Sequence, residues 1–179
     1  MKPEITIPDT TEEVLKMALE MEEEGYDTYV KGAAKVENSM GKRMLERLAQ
    51  DEIAHMRRIR EAYEAIEGKR SWEKVSMHNK EEVTTFQGIF DRLRKDLNQS
   101  LEELGSYQVD DEEVIETALN LESHAKFFYG EAAKKAADEK VKEFLFTLEK
   151  EEQSHYDALR NINRFFADPA NWFATQGKF

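Results

Sequence analysis

The stretch Glu-Ile-Ala-His at residues 52–55 recurs as Glu-Gln-Ser-His at residues 152–155, and this repeat is the strongest indication of the fold. A lone glutamate precedes each stretch at the same interval, Glu22 in the first half and Glu122 in the second, so the residue numbers of the two copies differ by 100. Each half therefore offers one isolated glutamate and one Glu-x-x-His. These are the ligand types of a helical bundle that holds two metal ions in its core.

The residues around these glutamates have helical spacing. Apolar or small residues recur in steps of three and four, and the pattern is the same in both halves. The four stripes are Leu15, Ala18, Glu22, Gly25, Tyr29 and Gly32; Leu45, Leu48, Glu52, His55 and Ile59; Ile115, Ala118, Glu122, Ala125, Tyr129 and Ala132; and Leu145, Leu148, Glu152, His155 and Leu159. The candidate ligands thus share the apolar faces, which predicts that they are buried.

Cap residues indicate where the helices begin. Thr10 and Asp110 each have a glutamate three residues later, as in a capping box, while Asn38 or Ser39 is a good N-cap for the second helix and Asp138 for the fourth. Asn38 and Asp138 also lie midway between the lone glutamate and the Glu-x-x-His of their half. Two antiparallel hairpins that turn at these residues bring all six side chains to one level.

We therefore predict an all-α fold, an antiparallel four-helix bundle made of two pseudo-repeated hairpins in a single domain, residues 1–179. The hairpins are residues 10–67 and 110–165. Residues 68–109 form a crossover too long for a simple loop and helical in part, since apolar residues from Val83 to Leu104 keep helical spacing and Gly105 follows. Residues 166–179 form an aromatic tail that we expect to dock on the bundle or on a partner subunit.

Composition excludes several classes of protein. The net charge of −12 opposes binding to nucleic acid, and the absence of cysteine excludes disulfides, thiolate metal sites and iron–sulfur clusters. The first residues lack the basic and apolar segments of a signal peptide, and no stretch is apolar enough to cross a membrane. We expect a cytoplasmic protein.

Charge balance is the physical reason to infer a metal centre. Four carboxylates facing one another in a core would repel and be poorly solvated, and two divalent cations cancel their charge. One Glu-x-x-His means little in a chain with 38 acidic residues, but two of only four histidines carry the motif at matching positions. Oxygen and imidazole ligands without sulfur favour iron or manganese, with zinc as a possible substitute.

Other residues on the same stripes are candidates for supporting roles. Asp51 and Glu151 each precede a ligand glutamate and lie one turn before the ligand histidine of the same helix, so they can accept an imidazole N–H, although they can equally be exposed acids. Gly25 and Ala125, one turn after the lone glutamates, leave space where dioxygen or peroxide can enter, or are small only to let the helices approach.

Tyr29 and Tyr129 are the candidate redox neighbours or hydrogen-bond donors to a ligand carboxylate. For at least one of them, we expect a core tyrosine whose hydroxyl is satisfied elsewhere. The other two histidines, His78 and His124, are expected to be surface residues, and so are several further acids, Glu20, Glu23, Glu24, Glu112 and Glu113.

Residues 18–29 (ALEMEEEGYDTY) and 51–55 (DEIAH), followed by residues 121–129 (LESHAKFFY) and 151–155 (EEQSH), resemble the rubrerythrin branch of the ferritin-like superfamily. The resemblance covers about residues 10–165, and the tail Asp-Pro-Ala-Asn-Trp-Phe is similar to the ending of stand-alone rubrerythrin-like proteins. It implies a di-iron carboxylate site in a ferritin-like bundle, in a dimer or larger assembly.

Two departures from rubrerythrins proper are visible. Those proteins carry a cysteine-rich rubredoxin domain, for which this sequence has no cysteines. They also place an additional glutamate ligand near the lone glutamate of the third helix, where this chain has Ala125 one turn on. Six ligands are closer to the bacterioferritin pattern.

We therefore expect an oxidoreductase that reduces hydrogen peroxide or dioxygen at two iron ions. Glu52 and Glu152 would bridge the ions, and the other four side chains, Glu22, His55, Glu122 and His155, would terminate them. Electrons would come from an external donor such as a rubredoxin-like protein, and the chain would form a homodimer. The alternatives are an iron-binding or ferroxidase protein for storage or transfer, and a helical interaction module stabilised by its metal.

Overall fold

The computed structural model describes residues 5–78 and 109–168, and within them the chain is all-helical. A short 3-10 turn, Trp72–Lys74, follows the first hairpin. None of the described helices is long and apolar enough to cross a membrane. The four helices are α1 (Thr11–Lys35), α2 (Ser39–Ile66), α3 (Val109–Lys135) and α4 (Glu139–Ala167).

Three of the predicted N-caps are confirmed. The side chains of Thr10, Asn38 and Asp138 accept hydrogen bonds from backbone N–H groups in the first turns of α1, α2 and α4. Asp110 is a correction, because α3 already begins at Val109 and the aspartate lies in its first turn.

Contacts between the hairpins establish the helix directions. The hydroxyl of Tyr29 in α1 donates to Glu122 in α3, and the hydroxyl of Tyr129 donates to Glu22 in return. Each tyrosine is seven residues beyond the glutamate of its own helix, roughly 10 Å along the axis, so the two bonds can coexist only if α1 and α3 run antiparallel. Since each hairpin is antiparallel as well, α2 and α3 run parallel.

A parallel α2 and α3 require a connection that returns along the bundle. Its start is described: α2 ends at Ile66, and Gly68 follows with a φ of 73°, the left-handed conformation of a glycine just after a helix. Trp72 then packs edge-on against Phe144 of α4 with ring centroids 6.5 Å apart. The predicted helical spacing in the crossover, Gly105 and the aromatic tail from residue 169 lie outside the described residues.

The core consists of two apolar layers with a polar layer between them. One layer joins the turn end of the first hairpin to the start of α3 and the end of α4, around Leu48, Ile115 and Leu159. The other contains Leu15, Phe144 and their neighbours at the opposite end. The predicted antiparallel four-helix bundle is confirmed, and the candidate ligands occupy the polar layer, shielded from water on both sides.

Candidate metal centre

All six candidate ligands are buried and converge at the middle of the bundle. Their side chains form two groups, in each of which one ligand atom per residue lies within 4.8 Å of the others. Glu52 and Glu152 belong to both groups. None of the six residues is more than 3% exposed. The groups are Glu22, Glu52, His55 and Glu152, and Glu52, Glu122, Glu152 and His155.

Both histidines direct the same ring nitrogen towards the carboxylates. Nδ1 of His55 lies 3.1 Å from Glu22 Oε2 and 3.0 Å from Glu152 Oε1. Nδ1 of His155 lies 3.5 Å from Glu122 Oε1 and 3.3 Å from Glu152 Oε2. The imidazole rings are stacked, with centroids 5.4 Å apart. Two carboxylates shared between two histidine-capped groups form the arrangement that a pair of cations needs.

Unpaired polar atoms at the centre also fit a pair of cations. Glu122 Oε2, Glu152 Oε1 and His155 Nδ1 are buried, and none of them forms a hydrogen bond of acceptable geometry within the described ranges, although carboxylate and imidazole atoms lie nearby. Buried polar atoms almost always have partners, and those that do not require an explanation such as an ion. Carboxylate oxygens and an imidazole nitrogen are donor atoms for iron, manganese and zinc. The residues present therefore fit a two-metal centre.

The second ring nitrogen of each histidine faces the opposite hairpin. Nε2 of His55 lies 3.0 Å from Glu151, and Nε2 of His155 lies 3.4 Å from Asp51. Both acids are buried, Asp51 to 1% exposure and Glu151 to 5%, so the view of them as exposed acids is wrong. Each hairpin thus supplies the acid that fixes the other hairpin's histidine, with the proton on Nε2 and Nδ1 free to bind metal.

Arginines balance the charge of these two acids. Arg47 lies 3.1 Å from Asp51, and the guanidinium of Arg58 forms a two-pronged hydrogen bond with Glu151. Sequence reasoning missed both arginines. The sequence did contain a sign of Arg58: it lies beside Ile59 of a predicted buried stripe, and the equivalent position in the second half is the small apolar residue Ala158. With the outer acids paired, the four inner carboxylates carry a charge of −4 only once they are deprotonated, and two divalent cations would then cancel it.

Both candidate tyrosines contact ligand carboxylates. Tyr29 and Tyr129 are 1% and 0% exposed, and each donates to the lone glutamate of the other hairpin. The expectation that at least one hydroxyl would be satisfied elsewhere is wrong. Burial, followed by the charges of Glu122 and Glu22 respectively, raises the pKa of each phenol well above its usual value. Both tyrosines therefore keep their protons at neutral pH.

Without a bound cation, both candidate ligand imidazoles have raised pKa values. Burial by itself lowers the pKa of His55, but the charges of Glu152 and Glu22 outweigh burial and raise it well above the usual value. The same opposition, with Glu122 as the main partner, raises the pKa of His155. Without a cation, both rings are therefore doubly protonated, and a metal that binds Nδ1 must displace the proton on that nitrogen.

Among the candidate ligand carboxylates, two have raised pKa values and one has a lowered pKa. Burial and the charge of Glu152 raise the pKa of Glu122 to about 8, and burial with Glu22 raises that of Glu52. For Glu152, burial is outweighed by His55 and then by the other imidazole, and its pKa is well below the usual value. Protons thus neutralise part of the cluster's charge, which ties metal binding to proton release.

A cavity of about 280 Å³ leads from the surface to this centre between α1 and α3. Its inner end is formed by buried carboxylates, among them Glu52 and Glu152, and Gly25 and Ala125 both line it. The predicted space beside the lone glutamates is confirmed. The outer walls are half-buried and apolar: Ile5, Met17, Met21 and Leu121.

The remaining histidines differ from each other. His78 is exposed as expected, whereas His124 is half-buried and lines the cavity. Neither belongs to the groups of ligand-type side chains that the structure brings together in the described ranges. The five acids expected on the surface are all exposed: Glu20, Glu23, Glu24, Glu112 and Glu113.

Comparison with known proteins agrees with this arrangement. The family model described as Rubrerythrin matches residues 13–163, which contain the whole bundle except its ends. No curated protein and no solved structure gives a significant match to the chain. The matched range includes all six candidate ligands and both buried tyrosines. The chain therefore belongs to the rubrerythrin family, and its fold is a ferritin-like four-helix bundle.

Proposed function

We propose that the protein is a di-iron oxidoreductase that reduces hydrogen peroxide, or dioxygen, with electrons from an external donor. One observation carries the proposal: the cavity from the surface ends on Glu52 and Glu152, the two carboxylates that both ligand groups share. A small oxidant that enters there arrives beside both proposed metal positions. The family match supports iron as the metal.

The six ligands have distinct roles in this proposal. Glu52 and Glu152 lie between the two groups and would bridge the ions, while the other four side chains would each hold one ion. When bound, an iron pair would supply the two electrons needed to convert one hydrogen peroxide and two protons into two water molecules. Asp51 and Glu151 fix the proton of each imidazole on Nε2 and so keep Nδ1 directed inwards.

The cavity limits which molecules reach the centre, and the two tyrosines keep the lone carboxylates in place. Met17, Met21 and Leu121 give the passage apolar walls, which admit a small oxidant and disfavour ordered water. Tyr29 and Tyr129 hold protons on their hydroxyl oxygens next to Glu122 and Glu22. Their raised pKa values keep these protons in place, so that the lone carboxylates retain one orientation during a reaction.

The test is single-turnover oxidation followed by an iron count. Protein loaded anaerobically with ferrous iron is mixed with peroxide or with dioxygen, and the rate of iron oxidation and the iron retained per chain are measured. We expect rapid oxidation, repeated turnover when a reductant is added, and two irons retained. Uptake of many irons per chain into a large assembly would favour storage instead, and tight metal binding without any reaction would favour a structural metal.

Two partners belong to the proposal. Electrons must reach a buried centre from outside the chain, and a rubredoxin-like protein is the proposed donor. We also propose a homodimer, on the ground that the crossover and the aromatic tail supply apolar sequence beyond the four stripes of the bundle. Light scattering at micromolar concentration tests the dimer, and deletion of residues 168–179 tests the part of the tail in it.

A further inference from the structure

Arg58 is the largest fully buried side chain of the described residues, with an exposure of 0%. It lies on α2, three residues after His55, and its counterpart in the repeat is Ala158. A buried arginine is costly unless its charge is paired and its N–H groups are bonded. Only the first half buries a charged guanidinium at this position. The arginine is therefore not needed to form the repeated hairpin, and another role must explain it.

The guanidinium joins α2 to α4 and to the segment after α2. Nη1 donates to Glu151 Oε1 at 3.1 Å, and Nη2 donates to Oε2 of the same carboxylate. Nη1 also donates to the carbonyl oxygen of Met77 at 3.1 Å. A two-pronged pair of this kind fixes the orientation of a carboxylate as well as its charge.

Glu151 transmits this orientation to the candidate metal centre. Its Oε2 lies 3.0 Å from Nε2 of His55, whose Nδ1 faces Glu22 and Glu152. A continuous series of contacts therefore runs from the Met77 carbonyl through the arginine to a candidate metal ligand. A carboxylate that accepts the N–H of a ligand histidine sets the ring's tautomer and orientation.

The second half has a looser version of this series. Nε2 of His155 lies 3.4 Å from Asp51, and Arg47 lies 3.1 Å from the other oxygen of that aspartate. The Arg47 side chain is 21% exposed and sits one turn before Asp51 on the same helix. Water can therefore reach Arg47, and its loss leaves a charge that solvent can partly compensate, unlike the loss of Arg58.

We propose that Arg58 is a positioning residue that holds Glu151 against His55 and makes the metal position at Glu22 and His55 distinct from that at Glu122 and His155. The inference rests on the proposed two-metal centre but not on its reaction with oxidants. Its consequence is that the two ions bind with different affinities, and that only one of them depends on Arg58.

Cobalt(II) is a suitable probe because its visible absorption reports each ligand set and its paramagnetism shifts the protons of bound histidines. Metal-free full-length protein is titrated with cobalt(II), and exchange of the two imidazole N–H protons into deuterium oxide is followed by NMR. The test variant is Arg58→Lys, which keeps the charge but not the two-pronged bond. Arg47→Lys is the matched control.

We expect two binding steps in the wild-type protein. Arg58→Lys should weaken one step by about 10- to 100-fold and speed the exchange of one N–H proton, while Arg47→Lys has a smaller effect on the other step. Circular dichroism checks that the variants fold. If Arg58→Lys does not fold, the double variant Arg58→Met with Glu151→Gln, which leaves no buried charge unpaired, should show the same selective loss.

Two unchanged steps and two unchanged exchange rates in a folded Arg58 variant would overturn the inference and leave the metal centre standing. Equal weakening of both steps would also overturn it, because that result indicates a general loss of packing. A wild-type protein that binds no cobalt(II) would overturn the proposed metal centre and this inference with it.

Discussion

The two hairpins are alike in their six candidate ligands but differ in the acids that contact the ligand histidines from the side away from the ligand carboxylates, and in the arginines paired with those acids. We call these surrounding residues the outer layer. The inner glutamates and histidines match in type and spacing, whereas Asp51 corresponds to Glu151 and Arg58 to Ala158. Loss of an inner carboxylate would leave the charge of two cations unbalanced. Few other residues can therefore occupy the inner positions. The outer layer only has to orient an imidazole and pair an acid, and different residues can do this in each half.

The largest expected effect separates the shared carboxylates from the unshared ones. Glu52→Gln or Glu152→Gln should abolish tight binding of both ions, because each residue belongs to both groups. Glu22→Gln or Glu122→Gln should abolish the binding of one ion only. Metal content after gel filtration and a cobalt(II) titration measure the difference. Loss of a single ion in all four variants would show that the two groups are independent.

The next effect concerns the metal-stripped protein. At a free metal concentration about 100 times the Kd of each site, each bound ion should stabilise the fold by about 2.7 kcal/mol, so the pair should contribute about 5.4 kcal/mol, or roughly 10 to 20 °C in Tm. Apo and holo proteins that melt together at neutral pH would contradict the charge-balance argument. Glu52→Ala combined with Glu152→Ala is the control, and it should largely remove the difference.

Stability of the metal-stripped protein should fall as the pH rises from 6 to 9. The pKa of Glu122 is raised from 4.5 to about 8 in the folded protein, so its protonation stabilises the fold below pH 4.5 and this contribution is lost as the pH rises through 8. The raised pKa values of His55 and His155 act in the same direction. Urea unfolding should show a loss of about 2 to 3 kcal/mol. Stability that is constant or increases over this range would contradict the shifts.

Tyr29→Phe and Tyr129→Phe should have equal, smaller effects. Each removes a buried donor to the lone glutamate of the opposite hairpin, at an expected loss of about 1 to 3 kcal/mol in the holo protein. Chemical unfolding with metal present measures both. A marked difference between the two would show that the asymmetry of the outer layer extends to the tyrosines.

The smallest effect is expected from Gly25→Ala, which gives the first hairpin the residue that the second already has. An added Cβ would lie 3.5 Å from Glu52 Cδ, an ordinary contact, so the helix should gain up to about 1 kcal/mol in stability. The methyl group would also narrow the cavity and slow the reaction with peroxide slightly. A loss of stability would indicate that the space beside Glu52 is tighter than the structure shows.

The fold and the inner part of the site could be predicted from the sequence because both depend on periodic features. The repeat places one glutamate and one Glu-x-x-His per half on apolar stripes, and Asn38 and Asp138 mark turns that bring them level. In the structure, these glutamates and histidines are accordingly buried between the two apolar layers.

The outer layer could be predicted only in part, because its contacts cross between hairpins. Spacing along one helix singled out Asp51 and Glu151 by their distance from the histidine of the same helix, but each acid contacts the histidine of the other hairpin. The role of Arg58 depends on Glu151, 93 residues away, and on the Met77 carbonyl. The N-cap of α3 was predicted wrongly, since Asp110 lies inside the described helix Val109–Lys135, because helix ends are weakly specified by sequence.

The most direct test of the central claim, that six side chains hold two ions through two shared carboxylates, is Mössbauer spectroscopy of the oxidised protein loaded with isotopically enriched iron. We predict two irons per chain whose spins are coupled to a diamagnetic ground state, because Glu52 and Glu152 lie between both positions. One iron per chain, or two irons that behave as independent paramagnetic ions, would contradict the account.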